Sequence, residues 1–154
     1  PAIINWPKNI PSGQVINEPG VAMDIFPTFL TAAGVDLNQY KLDGKNILPM
    51  VIEGEKSSHD GIFWEMNEQT AVRKDKWKLV LNGHLVEDVP SEDNVHLSDL
   101  ENDMAESINL KEKYPQITKE LKKIAQDWRN GIENRWENEW LPKANGTTGY
   151  VKKK

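Results

Sequence analysis

Apolar positions in the first third of the chain fall into two kinds of run. Residues 2–6, Ala-Ile-Ile-Asn-Trp, are nearly continuous and are stopped by Pro7. Such a run predicts a strand buried on both faces, as in a parallel sheet. A Pro/Gly-rich loop over 8–20 follows. From 21 to 34 the spacing changes, and Ile25, Phe29 and Ala32/Ala33 recur on one face at helical spacing. Asp24 is suited to cap this helix by accepting bonds from its free first-turn N–H groups. Pro27 falls in the same turn, where a missing N–H costs nothing. Gly34 closes the helix, because glycine takes the left-handed conformation cheaply. Leu42 to Pro49 reads as a turn leading into a short apolar segment. The polar residues 53–60 then mark a candidate boundary.

Beyond that boundary the period shortens. Residues 61–66, 70–73 and 77–81 are strand-like, and Asn82-Gly83 is the strongest short hairpin signal. Residues 84–89 would be the return strand and 95–97 a further short one. Four or five short strands with tight turns predict an antiparallel sheet. One long helix follows, opened by Pro115 in its first turn after Tyr114. Ile117, Leu121, Ile124, Trp128 and Ile132 form its apolar stripe. Gly131 is a place to end or bend it, although Trp136 and Trp140 continue the spacing. Packing that stripe on one sheet face gives an α+β domain. Residues 141–154 read as a disordered tail.

Composition narrows the classes. At 154 residues the chain has room for one domain with a real core. Hydrophobic content of 38% and charged content of 28% suit a soluble protein. No apolar run approaches a membrane span. The net charge of −5 argues against nucleic-acid binding. Zero Cys excludes disulfides and thiolate metal sites without fixing a compartment.

Several short segments stand in a fixed order. They are Pro1-Ala2-Ile3-Ile4-Asn5-Trp6-Pro7, then Asp24-x-x-Pro27-Thr28, then Leu42-Asp43-Gly44. Phe63-Trp64-Glu65, Ala71-Val72-Arg73 and Trp77-Lys78-Leu79-Val80 follow. Asp99-Leu100-Glu101-Asn102-Asp103 comes last, with Glu106, Asn109 and Leu110. The set resembles the back third of the type I sulfatases, arylsulfatase-like members of the alkaline phosphatase superfamily, over roughly residues 1–130. Ser98 stands where that family has Tyr, Met104 where it has Pro, and Met66 where many members have His.

The resemblance implies a fold and a reaction. Residues 1–58 would be the C-terminal remnant, a strand and a helix, of a large α/β sulfatase domain. Residues 59–140 would be the small C-terminal subdomain, an antiparallel sheet packed by the helix, and 141–154 the tail. The parent's reaction would be hydrolysis of a sulfate ester, with sulfated glycans among its substrates. The family's chemistry uses a formylglycine made from Cys or Ser in a Cys/Ser-x-Pro-x-Arg motif, supported by calcium or magnesium on Asp and Asn side chains. That machinery lies upstream of the segment matching Pro1–Pro7. None of Ser12, Ser57, Ser58, Ser91, Ser98 and Ser107 has the motif's context. The chain is therefore expected to hold no catalytic residue and no metal or cofactor of its own, to be inactive alone, and to have the upstream catalytic part as its partner. The family implies a periplasmic or secreted protein.

Candidate contacts are few. A sulfated substrate needs cations and hydrogen-bond donors, and Arg offers a bidentate fork. Arg73 and Asn67 are candidate substrate contacts, Glu65 a candidate orienter, and Lys78 lies beside them. The competing reading is exposed strand charges with local partners. His59, next to Asp60, is a candidate loop contact, while His84 and His96 read as surface or strand histidines. Asp99, Glu101 and Asp103 are spaced like the first calcium ligands of a loop, but Met104 and Leu110 stand where it needs Gly and Glu, so a solvated turn is the better reading. Trp128 belongs to the helix stripe, and Trp136 and Trp140 are open to either core or glycan contact. Asn145-Gly-Thr147 has the form of a glycosylation acceptor. Three alternatives remain: a stand-alone glycan-binding module, an assembly element docking on a separate catalytic chain, or a fragment of a phosphodiester or phosphonate hydrolase.

Overall fold

The structure is a computed structural model that describes residues 2–83 and 93–144. The chain divides into two compact units, Pro1–Asp60 and Gly61–Lys154.

In the first unit, residues 2–6 form no strand. A strand exists only through its ladder, and the described residues place no partner beside this run. Ile3 is 96% exposed and Ile4 also faces out, so the predicted two-sided burial is absent. A 3-10 turn, Ala22–Asp24, leads directly into α1, Ile25–Ala32. Gly34 takes φ 79° as expected. Its N–H donates to the Thr31 carbonyl and the Val35 N–H to the Leu30 carbonyl, both at 2.9 Å, the paired bonds of a Schellman end. Pro27 and Thr28 are buried, whereas Ile25, Phe26 and Phe29 are exposed. The apolar face of α1 therefore points out of the unit. The short apolar segment is α2, Leu48–Glu53, ended by Gly54 at φ 73°, with Met50 and Val51 buried.

The second unit is a four-stranded antiparallel meander, in the order β1 (Ile62–Met66), β2 (Gln69–Lys74), β3 (Trp77–Leu81) and β4 (Val95–Asp99). Phe63, Val72, Leu79 and Leu97 lie in one cross-strand row. This row faces α3, Pro115–Arg135. Val72, Leu79, Leu81, Leu97, Leu121 and Ala125 make the buried core. The predicted stripe is there, with Ile117 and Ile124 at its margins and Trp128 stacked on Phe63 at 5.1 Å. Ala125 is the small residue that brings the helix close to the sheet.

Tyr114 precedes α3 and Pro115 opens it. Gly131 does not end the helix; the chain runs through Arg135 into a π-helical turn, Trp136–Trp140, and α4, Leu141–Ala144. The start of the expected tail is thus helical. The return strand expected at 84–89 lies outside the described residues. Among the described residues β3 pairs with β2 on one side and β4 on the other, and Asn82, at φ 53°, donates its N–H to the Asn94 carbonyl at 2.9 Å where β3 and β4 meet.

Candidate functional site

Asp24 is the hub of the first unit. It does not cap α1 through first-turn N–H groups as its position suggests. Its carboxylate, only 1% exposed, turns back instead. It accepts from the N–H of Val21 at 2.9 Å and of Lys45 at 2.8 Å. His59 Nε2 completes the set, at 2.8 and 3.0 Å from the two oxygens. A carboxylate only accepts, so His59 presents Nε2–H here. Thr28 extends the network, donating its hydroxyl to the Asp24 carbonyl at 2.6 Å and accepting from Ile47 N–H at 3.1 Å. The Asp-x-x-Pro-Thr and Leu-Asp-Gly segments are thereby one structure. The α1 entry and the 44–47 loop are tied through Asp24 and Thr28, and Gly44 lies against the backbone of Met23. Nothing in the spacing of Asp24 and His59, 35 residues apart, signals that they meet.

The second unit carries the other candidates. Glu65 is on β1, and its carboxylate lies 3.3 Å from Arg129 Nε of α3. Asn67 sits in the β1–β2 turn at φ 54°. Its carbonyl accepts from Arg129 Nη2 at 2.9 Å, and that of Gln69 from Nη1 at 3.4 Å. The carbonyl between them, Glu68, accepts from Asn82 Nδ2 at 3.3 Å. Three successive carbonyls of the turn are therefore held by side chains, and Arg129, which the sequence does not single out, supplies two of the bonds. Arg73, on β2, donates from Nε to the Asp75 carbonyl at 3.3 Å and has no carboxylate partner among the described residues. Lys78 on β3 pairs with Glu106 at 2.5 Å. Glu65, Asn67 and Arg73 thus share one hairpin, while His59 belongs to the first unit.

The acidic segment closes on itself. Asp99 accepts from Lys76 Nζ at 2.8 Å, from Asn102 Nδ2 at 3.0 Å and from Glu101 N–H at 3.2 Å. The Lys76 ammonium holds the Asp99 carboxyl below the usual carboxylate range, and Asp99 in turn raises Lys76. Asp103 accepts from Ile108 N–H at 2.8 Å. Among the described residues, no group of three or more His, Asp or Glu side chains could hold a metal ion, and no helix is long and apolar enough to cross a membrane.

Comparison with known proteins gives these features a context. Residues 1–131 match the family model described as N-sulphoglucosamine sulphohydrolase, C-terminal. Human steryl-sulfatase is 40% identical over 70 residues, covering 44% of this chain and 12% of that protein. N-acetylgalactosamine-6-sulfatase of Sus scrofa is 33% identical over 79 residues, covering 51% of this chain and 15% of that protein. Among solved structures, Ps i-CgsB aligns with TM-score 0.62 at 24% identity over 93% of this chain and 34% of its own. That likeness shows a shared fold, the four-stranded antiparallel sheet with its long C-terminal helix. The chain spans about an eighth of the length of the curated relatives it matches. With the family match running through both units, the chain belongs to the C-terminal family of the sulfatases.

Proposed function

We propose that this chain is the C-terminal portion of a sulfatase that hydrolyses sulfate esters, with sulfated glycans as its substrate class. The observation that carries the reading is the family match over residues 1–131. The substrate class draws on one relative's name, N-acetylgalactosamine-6-sulfatase. The exposed Ile25, Phe26 and Phe29, neighbours on α1, support an upstream α/β part that covers them, since exposed apolar surface favours a covering partner.

In this reading the attacking formylglycine lies upstream, as does the calcium or magnesium site. The metal is not assigned to this chain, because its described residues offer no ligand cluster. This chain's share is binding and support. Arg73 contacts an anionic group of the substrate, and Asn67 a hydroxyl or sulfate oxygen. Glu65 orients the hairpin through its pair with Arg129. His59, with Nε2 committed to Asp24, has only Nδ1 left for a substrate contact.

The test is sulfate release, followed by ion chromatography, from 6-sulfated and N-sulfated glycosaminoglycan disaccharides by the natural protein that carries this sequence. The 154-residue chain alone should release none. Hydrolysis of a phosphodiester or phosphonate in place of every sulfate ester would overturn the sulfatase reading.

A further inference from the structure

The long helix outruns the sheet it packs on. Tyr114 lies against Trp77 of β3, with ring centroids 4.8 Å apart, and Trp128 stacks on Phe63 of β1 at 5.1 Å. Between those two contacts the helix advances about 21 Å while crossing two strand spacings, about 10 Å. β1 is an edge strand, paired with β2 alone among the described residues. At the same slant, Ile132 and Trp136 stand over the position that a further strand would take, about 5 Å beyond β1. Trp140 stands past it. No described strand fills that position, and the π-turn's main neighbours are α3 and α4. Ile132 is half-buried, Trp136 38% exposed and Trp140 56%. The apolar stripe of the helix is thus one strand longer than the sheet.

The edge itself is unguarded. Sheets blunt their edges with Lys, Pro, bulges or inward charges. β1 reads Ile62-Phe63-Trp64-Glu65-Met66 and pairs with β2 residue for residue, without a bulge. Its one charge, Glu65, lies 3.3 Å from Arg129 Nε, so the edge shows an approaching strand little net charge. Trp64 is 45% exposed there and Met66 59%. An open edge of this composition is a template for strand addition.

We propose that β1 pairs, antiparallel and across a two-fold axis, with β1 of a second copy of this chain. The two meanders then form one continuous sheet. A two-fold contact gives each copy what it lacks, because the partner's β1 takes the open position beneath Ile132 and Trp136, and the reverse holds at once. Self-pairing brings Trp64 close to the partner's Trp64, as an aromatic cross-strand contact. Charge favours the match, since each Glu65 is already answered by its own Arg129. Area favours it too. At about 200 Å² for a full Trp or Met side chain, the exposed parts of Trp64, Met66, Trp136 and Trp140 come to about 400 Å² per copy and about 800 Å² per pair. The edge backbone and Ile132 carry the total to the roughly 1,000 Å² that a stable interface needs. The inference goes beyond the sulfatase reading and stands whichever ester the natural protein hydrolyses.

Sedimentation velocity of the natural protein that carries this sequence tests it. Met66→Lys puts a charge on the edge, and the double variant Trp136→Ala/Trp140→Ala clears the overhang. The natural protein should be a dimer at micromolar concentration. Each change should raise the dimer's dissociation constant about tenfold or more, with circular dichroism unchanged. Amide exchange within 62–66 should quicken as the natural protein is diluted to monomer. A monomer, or a dimer indifferent to both changes, overturns the proposal. So does a monomer whose β1 amides stay protected on both sides of the strand. That result would assign the edge to the upstream part, or to residues 145–154 if their removal exposes those amides.

Discussion

Replacing Asp24 with Ala should unfold the first unit's central knot. The substitution removes the acceptor for three donors, the N–H groups of Val21 and Lys45 and His59 Nε2–H. Leaving a buried donor unmade costs about 1–3 kcal/mol. These bonds are part-buried, so the lower end applies, and three donors at about 1 kcal/mol each give about 3 kcal/mol. That is a large share of the roughly 5–15 kcal/mol that separates most folded domains from their unfolded chains. At a urea slope of about 1–3 kcal/mol per molar, the midpoint should fall by about 1–3 M. Asp24→Asn keeps one acceptor oxygen and should lose about half as much. The assay is urea unfolding followed by Trp6 fluorescence, read beside hydrogen exchange at the Val21 and Lys45 amides. Trp6 is the one tryptophan of this unit, in a variant whose other five are replaced by Phe. If Asp24→Ala shifted stability by less than about 0.5 kcal/mol, and both amides stayed as protected as before, the hub argument would be wrong.

Other outcomes follow from the same packing. A Cβ at Gly44 would run into the Met23 carbonyl oxygen and lie 2.9 Å from the Asp24 nitrogen. Gly44→Ala must therefore move backbone, and should lower the thermal midpoint more than Gly131→Ala, whose added methyl meets nothing. Leu121 is 2% exposed at the centre of the second unit's core, so Leu121→Ala should cost about 2–5 kcal/mol in urea unfolding. The Asp99 carboxyl is lowered in the folded chain. Its contribution is therefore present above the ordinary Asp range and lost as pH falls below it. Lys76 is raised, so its contribution is present below the ordinary Lys range and fades at higher pH. The stability gap between the natural chain and Asp99→Asn should close on acidification through the carboxylate range, in urea midpoints taken at stepped pH.

Much of the second unit was legible in the chain itself. Alternating and continuous apolar residues place β1, β2 and β3 within a residue or two, because side-chain period reports which face is buried. The helix stripe and the Tyr114-Pro115 opening locate α3, and the family segments identify what kind of domain this is. Gly34 was legible for a simpler reason: a helix end of this type needs positive φ, which glycine takes without cost.

Tertiary structure decided the rest. The run at 2–6 has every sign of a buried strand, yet strand formation is a property of two segments, and the described chain offers no second one. Asp24 has the position and chemistry of a helix cap, but Val21, Lys45 and His59 compete for the same oxygens and win, a contest that local sequence cannot display. Arg129 shows the same limit from the other side: on a helix it reads as one more surface charge, and only packing α3 on the sheet puts its guanidinium among the carbonyls of a turn 62 residues away. The chain's local pattern thus determined its elements and its family. Which polar groups meet depended on contacts between residues far apart in sequence, where each donor's partner is set by the fold that assembles them.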